Sequence, residues 1–207
     1  MAKLMENSKY SGGGLKTGAV VMGGALLVMW ALEILDLLLF GGALDSFGIR
    51  PRSADGLDGV LLHPLLHNGL GHLANNSVPF VVFGLLVFLS GLRSFVVTTT
   101  LSLIVGGLGV WLFGASNSVH IGASGLVFGY LGYLLLRGYF SRSVGAVLVS
   151  VLLVVLYGGL LWGLLPFAPG VSWTGHFFGF LGGALSAYLL RRRIPTSMDS
   201  AGRGVSD

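Results

Sequence analysis

VGAVLVSVLLVVLYGGLLWGLL, residues 144–165, holds no charged side chain. A helix crosses the hydrocarbon core of a bilayer with roughly 20 apolar residues, so this run reads as a membrane span. Similar runs lie on both sides of it. Toward the N-terminus they cover 122–136, which is short, then 95–113, 71–89 and 18–40. Toward the C-terminus one covers 174–190. Strands of alternating polarity with regular turns are missing, which argues against a β-barrel. The fold class that follows is all-α, a polytopic bundle of six transmembrane helices.

Composition points the same way. Of the 207 residues 54% are hydrophobic and 10% charged, and the mean hydropathy is +0.86. A soluble domain carries about 25% charged residues. Glycine supplies 35 positions, more than twice its usual share of about 7%. Without a G-x-y period, glycine at that level in an apolar chain indicates helices packed closely in a membrane. There is no cysteine, which excludes disulfide scaffolds, iron–sulfur clusters and thiolate metal sites. The first apolar stretch is too long for a signal-peptide core, contains Glu33 and Asp36, and is followed by no clear A-x-A site. One membrane domain is therefore expected over 17–191, with short tails at 1–16 and 192–207.

Charge gives the orientation, since cytoplasmic loops are enriched in Lys and Arg. Six spans put both termini on one side, together with Lys3, Lys9, Lys16, Arg93, Arg137, Arg142, Arg191, Arg192, Arg193 and Arg203; only Arg50 and Arg52 fall on the other. Both tails should then be cytoplasmic. The 41–67 connection and the segments 115–121 and 166–173 should face outside.

Polar groups inside spans are costly and are candidates for function. Three clusters stand out, all near the outer side. In HNGLGHLANN (67–76), His72 and Asn76 lie four apart on one helix face. In HIGASGLVFGYLGYLL (120–135 with Leu136 following), Ser124 sits at the start of the short fourth helix, where backbone N–H groups are free and the dipole is positive. Its fifteen or so residues span ~22 Å against a core of ~30 Å, so its start should lie below the outer surface behind an irregular lead-in. Such backbone persists at depth where protein buries it or where it lines a water-filled cavity. Gly125, Gly129 and Gly132 follow as a flat stripe. In SWTGHFFGFLGG (172–183), His176 enters the sixth helix with Gly179 and Gly183 on its face. Each cluster alone has a plain structural reading: caps, small-residue packing, or a buried histidine bonded to a carbonyl. Jointly they form a constellation for acyl transfer. Ser124 is the nucleophile, His176 the base, and His72, Asn76 and the Ser124 N–H the oxyanion donors. No acid stands beside His176, so a Ser–His dyad is the simpler arrangement, although Glu33 and Asp36 remain available to fold in.

These residues resemble the rhomboid family of intramembrane serine proteases, over about residues 18–190. The family's H-x4-H-x3-N pattern is similar to His67, His72 and Asn76. Its G-x-S-G is similar to Gly122, Ala123, Ser124 and Gly125, and its last-span histidine followed by G-x3-G to His176, Gly179 and Gly183. The resemblance implies a catalytic dyad of Ser124 and His176 without Asp, and His72 and Asn76 on the oxyanion side. It implies an aromatic Phe128 stacked on the histidine. It also implies a 41–67 loop partly in the membrane and a mobile loop at 166–173 over the site. Single-span membrane proteins are the implied substrates and the bilayer the implied surroundings; no cofactor, metal or nucleic acid is expected. One departure is visible: Arg50-Pro51-Arg52 stands in the loop where many bacterial members carry a Trp-Arg pair.

Other readings fare less well. His63 and His67 are four apart, a spacing a metal can use, but Pro64 interrupts them and there is no H-E-x-x-H. A transporter should show inverted repeats or paired broken helices. A catalytically silent rhomboid-like protein that binds membrane clients usually lacks the Ser or the His, and both are present. His120, four residues before Ser124, either lines a water path or caps the fourth helix, with the structural role favoured.

Overall fold

The protein is described here by a computed structural model covering residues 2–141, 143–167 and 170–191. Arg142 and the expected tail at 192–207, with Arg192, Arg193 and Arg203, lie outside the described residues. The chain forms an all-α, multi-pass membrane bundle. Its helices are α1 (Ala2–Leu35), α2 (Gly59–Leu62), α3 (Leu70–Phe88), α4 (Leu92–Phe113), α5 (Ser124–Ser141), α6 (Val144–Tyr157) and α7 (Trp173–Leu189). A π-helical turn, Asp36–Phe40, extends α1, and a 3-10 run, Gly158–Leu164, extends α6. Helical backbone begins at Ala2, so the stretch read as an N-terminal tail continues directly into the first span.

Among the described residues four segments are long and apolar enough to cross a membrane: Gly14–Phe40, Leu70–Phe88, Leu92–Phe113 and Val144–Leu164. α5 and α7 are the other two long helices of the bundle, and they are its centre. α5 packs against α3, α4, α6 and α7. One side of it enters the main core, where Leu126, Tyr130, Leu131 and Leu134 meet Leu73, Phe80, Phe83 and Val87 of α3. By contrast α6 turns Val144, Leu148, Val151, Leu152 and Val155 outward, as a helix bathed in lipid would.

The fourth span departs from expectation. It runs 18 residues rather than stopping at Leu136, so its length is about 27 Å, close to the hydrocarbon thickness. Arg137 does not end it, because Gly138 packs on Ala146 and Ser150 of α6 and Phe140 meets Tyr188 of α7. The added length lies at its C-terminal end, and its irregular lead-in is covered by protein. The covering is done by the 41–67 connection, in which Ile49 pairs with His120 in an isolated antiparallel bridge.

Glycine sets how close α7 comes to its neighbours. A methyl built on Gly183 would strike the Gly129 carbonyl, and one on Gly179 would strike the Gly125 carbonyl. On the opposite side Gly182 lies against Leu101 and Ser102 of α4, and Gly106 against the Gly179 backbone. In lipid no hydrophobic force draws helices together, so association relies on such close backbone packing and on interhelical hydrogen bonds. Thr98 of α4 and Ser186 of α7 supply one of these, 2.9 Å apart and fully buried.

Glu33 and Asp36 do fold inward, but toward the connection rather than toward His176. Glu33 accepts the Gly69 N–H at 2.8 Å, at the start of α3, and Asp36 accepts the Leu44 N–H at 3.1 Å. A carboxylate there complements the helix dipole. Asp45 is close to both acids. Burial first, then the charges of Asp36 and Glu33, raise its pKa from 3.8 to about 6.

Two stability measurements follow. Gly183→Val should lower the thermal midpoint in detergent sharply, because overpacking costs roughly 1–3 kcal/mol or more when the obstacle is backbone; Gly145→Ala, in open space, should not lower it. An acid whose pKa rises on folding destabilises the fold progressively as pH climbs from its ordinary value through the folded one. Asp45→Asn should thus raise the midpoint at pH 8 and leave it unchanged near pH 3.5.

Candidate active site

Ser124 is the first residue of α5, and the turn delivering it is tightly specified. Gly122 has φ +112°, a region that favours glycine. A methyl on it would also come within 2.8 Å of His72 Nε2. The Gly122 N–H donates to the His63 carbonyl at 2.8 Å, and the Ala123 N–H to His67 Nε2 at 3.3 Å. Among the described residues no group accepts from the Ser124 N–H, the next donor in the helix start.

His176 is held on two sides. Its ring stacks on Phe128 with centroids 4.2 Å apart and an interplanar angle of 14°. Its Nδ1 lies 2.9 Å from the Gly163 carbonyl oxygen. A carbonyl only accepts, so Nδ1 carries the proton and Nε2 keeps its lone pair; the tautomer is assigned from this network. Gly163 belongs to the 3-10 run after α6, and a methyl there would stand 3.0 Å from the Phe128 ring and 3.1 Å from Nδ1.

His72 presents the opposite tautomer. Its Nδ1 accepts the Asn68 N–H at 3.4 Å, which leaves Nε2 as the N–H donor. Asn76 spends one amide proton on the His72 carbonyl at 3.0 Å and keeps a second. Ser124, His176, His72, Asn76 and Phe128 line one cavity of about 870 Å³. Its volume accommodates both water and a stretch of extended chain. Among the described residues no hydrogen bond joins Ser124 Oγ to His176; such bonds often close only when substrate is bound. The seam residues Gly125, Gly179 and Gly183 lie behind the cavity, in the α5–α7 contact.

The remaining histidines are each bonded to other protein groups. His63 directs Nδ1 at the Gly59 and Val60 carbonyls, 3.0 and 3.1 Å away. His67, pushed down to about 4 mainly by burial, accepts from Ala123 as a neutral ring. Among the described residues no group of three or more His, Asp or Glu is placed to hold a metal. His120 lines the cavity but does not cap α5. Its Nε2 lies 2.8 Å from Ser118 Oγ and its Nδ1 2.6 Å from Ser172 Oγ. Burial lowers its pKa, favouring the neutral ring.

The loop that departs from the family pattern finds its own anchors. The Arg52 guanidinium bonds the Leu112 carbonyl at 3.0 Å and Ser116 Oγ at 2.7 Å, at the C-terminal end of α4 where a cation is favoured. Trp111 Nε1 donates to the Ser53 carbonyl at 2.8 Å. Of the 166–173 segment, Gly170, Val171 and Ser172 border the cavity, while 168 and 169 lie outside the described residues. Sequence reading passed over Gly163 and Ser172. Nothing in a sequence marks which carbonyl a histidine will meet, but Ser172 directly before a helix is a recognisable N-cap.

The chain is similar to known proteins over most of its length. A family model described as the Rhomboid domain matches residues 56–193. An uncharacterized protein of Mycobacterium tuberculosis is 42% identical over 183 residues, covering 82% of this chain and 76% of that protein, and one of Mycobacterium bovis matches equally. An uncharacterized protein of Mycobacterium leprae is 38% identical over 181 residues, covering 84% of this chain and 71% of its own length.

Proposed function

The chain belongs to the rhomboid family, and we propose that it is an intramembrane serine protease that cleaves single-span membrane proteins in or near their spans. The observation that carries this reading is the bond from His176 Nδ1 to the Gly163 carbonyl. It leaves the unprotonated Nε2 to a cavity shared with Ser124. The carbonyl then does the orienting that an acid does in a triad.

In the reaction, Ser124 Oγ attacks the scissile carbonyl carbon while its proton passes to His176 Nε2. The oxyanion receives hydrogen bonds from the Ser124 N–H, His72 Nε2–H and the second amide proton of Asn76. His176 returns its proton to the leaving amine. A cavity water, activated by the same nitrogen, hydrolyses the acyl-enzyme and regenerates Ser124. A helical peptide bond is shielded by its own hydrogen bonding, so Gly or Pro in the substrate span should favour cutting by easing local unwinding. The charge distribution supports a plasma-membrane protein with a membrane domain at 17–191 and both flanking segments, 1–16 and 192–207, in the cytoplasm.

The purified protein should cut a single-span substrate with a destabilised helix, and Ser124 should label with a fluorophosphonate. Ser124→Ala and His176→Ala should each abolish cleavage while the fold persists. Near-normal cleavage by either variant overturns the mechanism, and a folded wild type that never cuts or labels favours a client-binding role. Asn76→Ala should be milder than either, with a loss of at most about 10²–10³ in kcat. Gly163→Val should lower kcat about 10–100-fold by tilting the His176 ring, whereas Gly159→Ala, with open space around it, should leave kcat unchanged.

A further inference from the structure

We propose that His120 is a positioning residue, clamping the first turn of α7 through Ser172 and thereby holding His176 in register with Ser124. The consequence for catalysis rests on the dyad reading above; the clamp itself does not.

Counting protons fixes the direction of each bond. Ser118 Oγ lies 2.6 Å from the Ala115 carbonyl and gives it the hydroxyl proton. Its bond to His120 Nε2, at 2.8 Å, must then be donated by the ring. A neutral imidazole protonated at Nε2 has its lone pair on Nδ1. Ser172 Oγ, 2.6 Å from that nitrogen, is therefore the donor. The Ser172 oxygen retains lone pairs for the Gly175 N–H at 3.4 Å, which is the N-cap bond of α7. The chain reads Gly175 N–H to Ser172, Ser172 to His120, His120 to Ser118, and Ser118 to the Ala115 carbonyl, with every proton used once. Ser172 also accepts the His176 N–H on its own carbonyl at 3.1 Å. One residue thus joins the clamp to the backbone of the histidine.

The anchor at the other end is firm. The His120 N–H donates to the Ile49 carbonyl at 2.9 Å, and the Ile49 N–H returns the bond at 3.0 Å. Ile49 is fully buried, and neighbouring Gly48 has no room for a methyl beside Ile121 and Val119. A serine N-cap needs no histidine behind it. Adding one fixes which way the hydroxyl points and ties α7 to the opposite side of the cavity. The polar link spans 52 residues of sequence, from the lead-in of α5 to the lead-in of α7, so it sets the two helix starts relative to each other.

The test combines kinetics on the full-length protein with amide hydrogen exchange over residues 173–176, the exchange being measured in a Ser124→Ala background. His120→Phe keeps a ring and loses both bonds. It should lower kcat about 10–100-fold with KM unchanged, and accelerate exchange in the first turn of α7. His120→Asn retains an acceptor near the Nδ1 position and should recover most of both. Ser172→Ala should reproduce the His120→Phe effects, and the double variant should fall no further than either single one. Wild-type kcat in His120→Phe, unchanged exchange at 173–176, or losses that multiply in the double variant would each overturn the proposal. If His120→Phe does not fold, Ser172→Ala against His120→Asn carries the same comparison. A wild type that neither cuts nor labels sinks the protease reading instead, and the exchange measurement still decides the clamp.

Discussion

Everything in this molecule hangs on the backbone contact between α5 and α7. Where Gly179 meets the Gly125 carbonyl and Gly183 the Gly129 carbonyl, the α5 backbone occupies the space a side chain on α7 would take. The apolar effect that collapses soluble proteins is absent between helices in lipid, so proximity itself is the source of cohesion. The two helices that come closest are the ones carrying Ser124 and His176. Their contact is therefore at once the strongest packing in the bundle and the scaffold of the candidate site. Greasier helices, α6 above all, wrap them and meet the acyl chains.

Irregular backbone is the second theme. A membrane tolerates unpaired peptide groups only where protein or water covers them. The 41–67 connection and the lead-in to α5 meet that demand for each other: His63 and His67 receive the Gly122 and Ala123 N–H groups, and Ile49 pairs with His120. Those bonds also leave the following amide, that of Ser124, as the open donor at the helix start. Satisfying the loop and leaving that amide open are the same act of folding.

Much of this was legible beforehand. The spans, the glycine stripes that bring α5 against α7, and the face shared by His72 and Asn76 follow from helical period and from the rarity of polar groups in an apolar chain. The end of α5 is not legible because the apolar run ends at Leu136, whereas the helix continues where Gly138 meets α6. Glu33 and Asp36 were visible as anomalies, but their partners are the amides of Gly69 and Leu44. Partners that are main-chain atoms carry no residue identity. The same blindness hid Gly163 and left the partner of His120 unread, since its bond to Ser172 joins two loops far apart in sequence.

The Gly163 carbonyl has a genetic corollary. Every sense codon specifies an amino acid with the same C=O, so no missense change at this position deletes the acceptor that steadies His176. A side-chain acid can be lost by one nucleotide; a peptide oxygen can only be displaced, by bulk at Gly163 or by rerouting the run that carries it. On the protease reading, inactivating alleles should accordingly gather at Ser124, at His176 and at the glycines. The Gly163 oxygen has no allele that removes it cleanly.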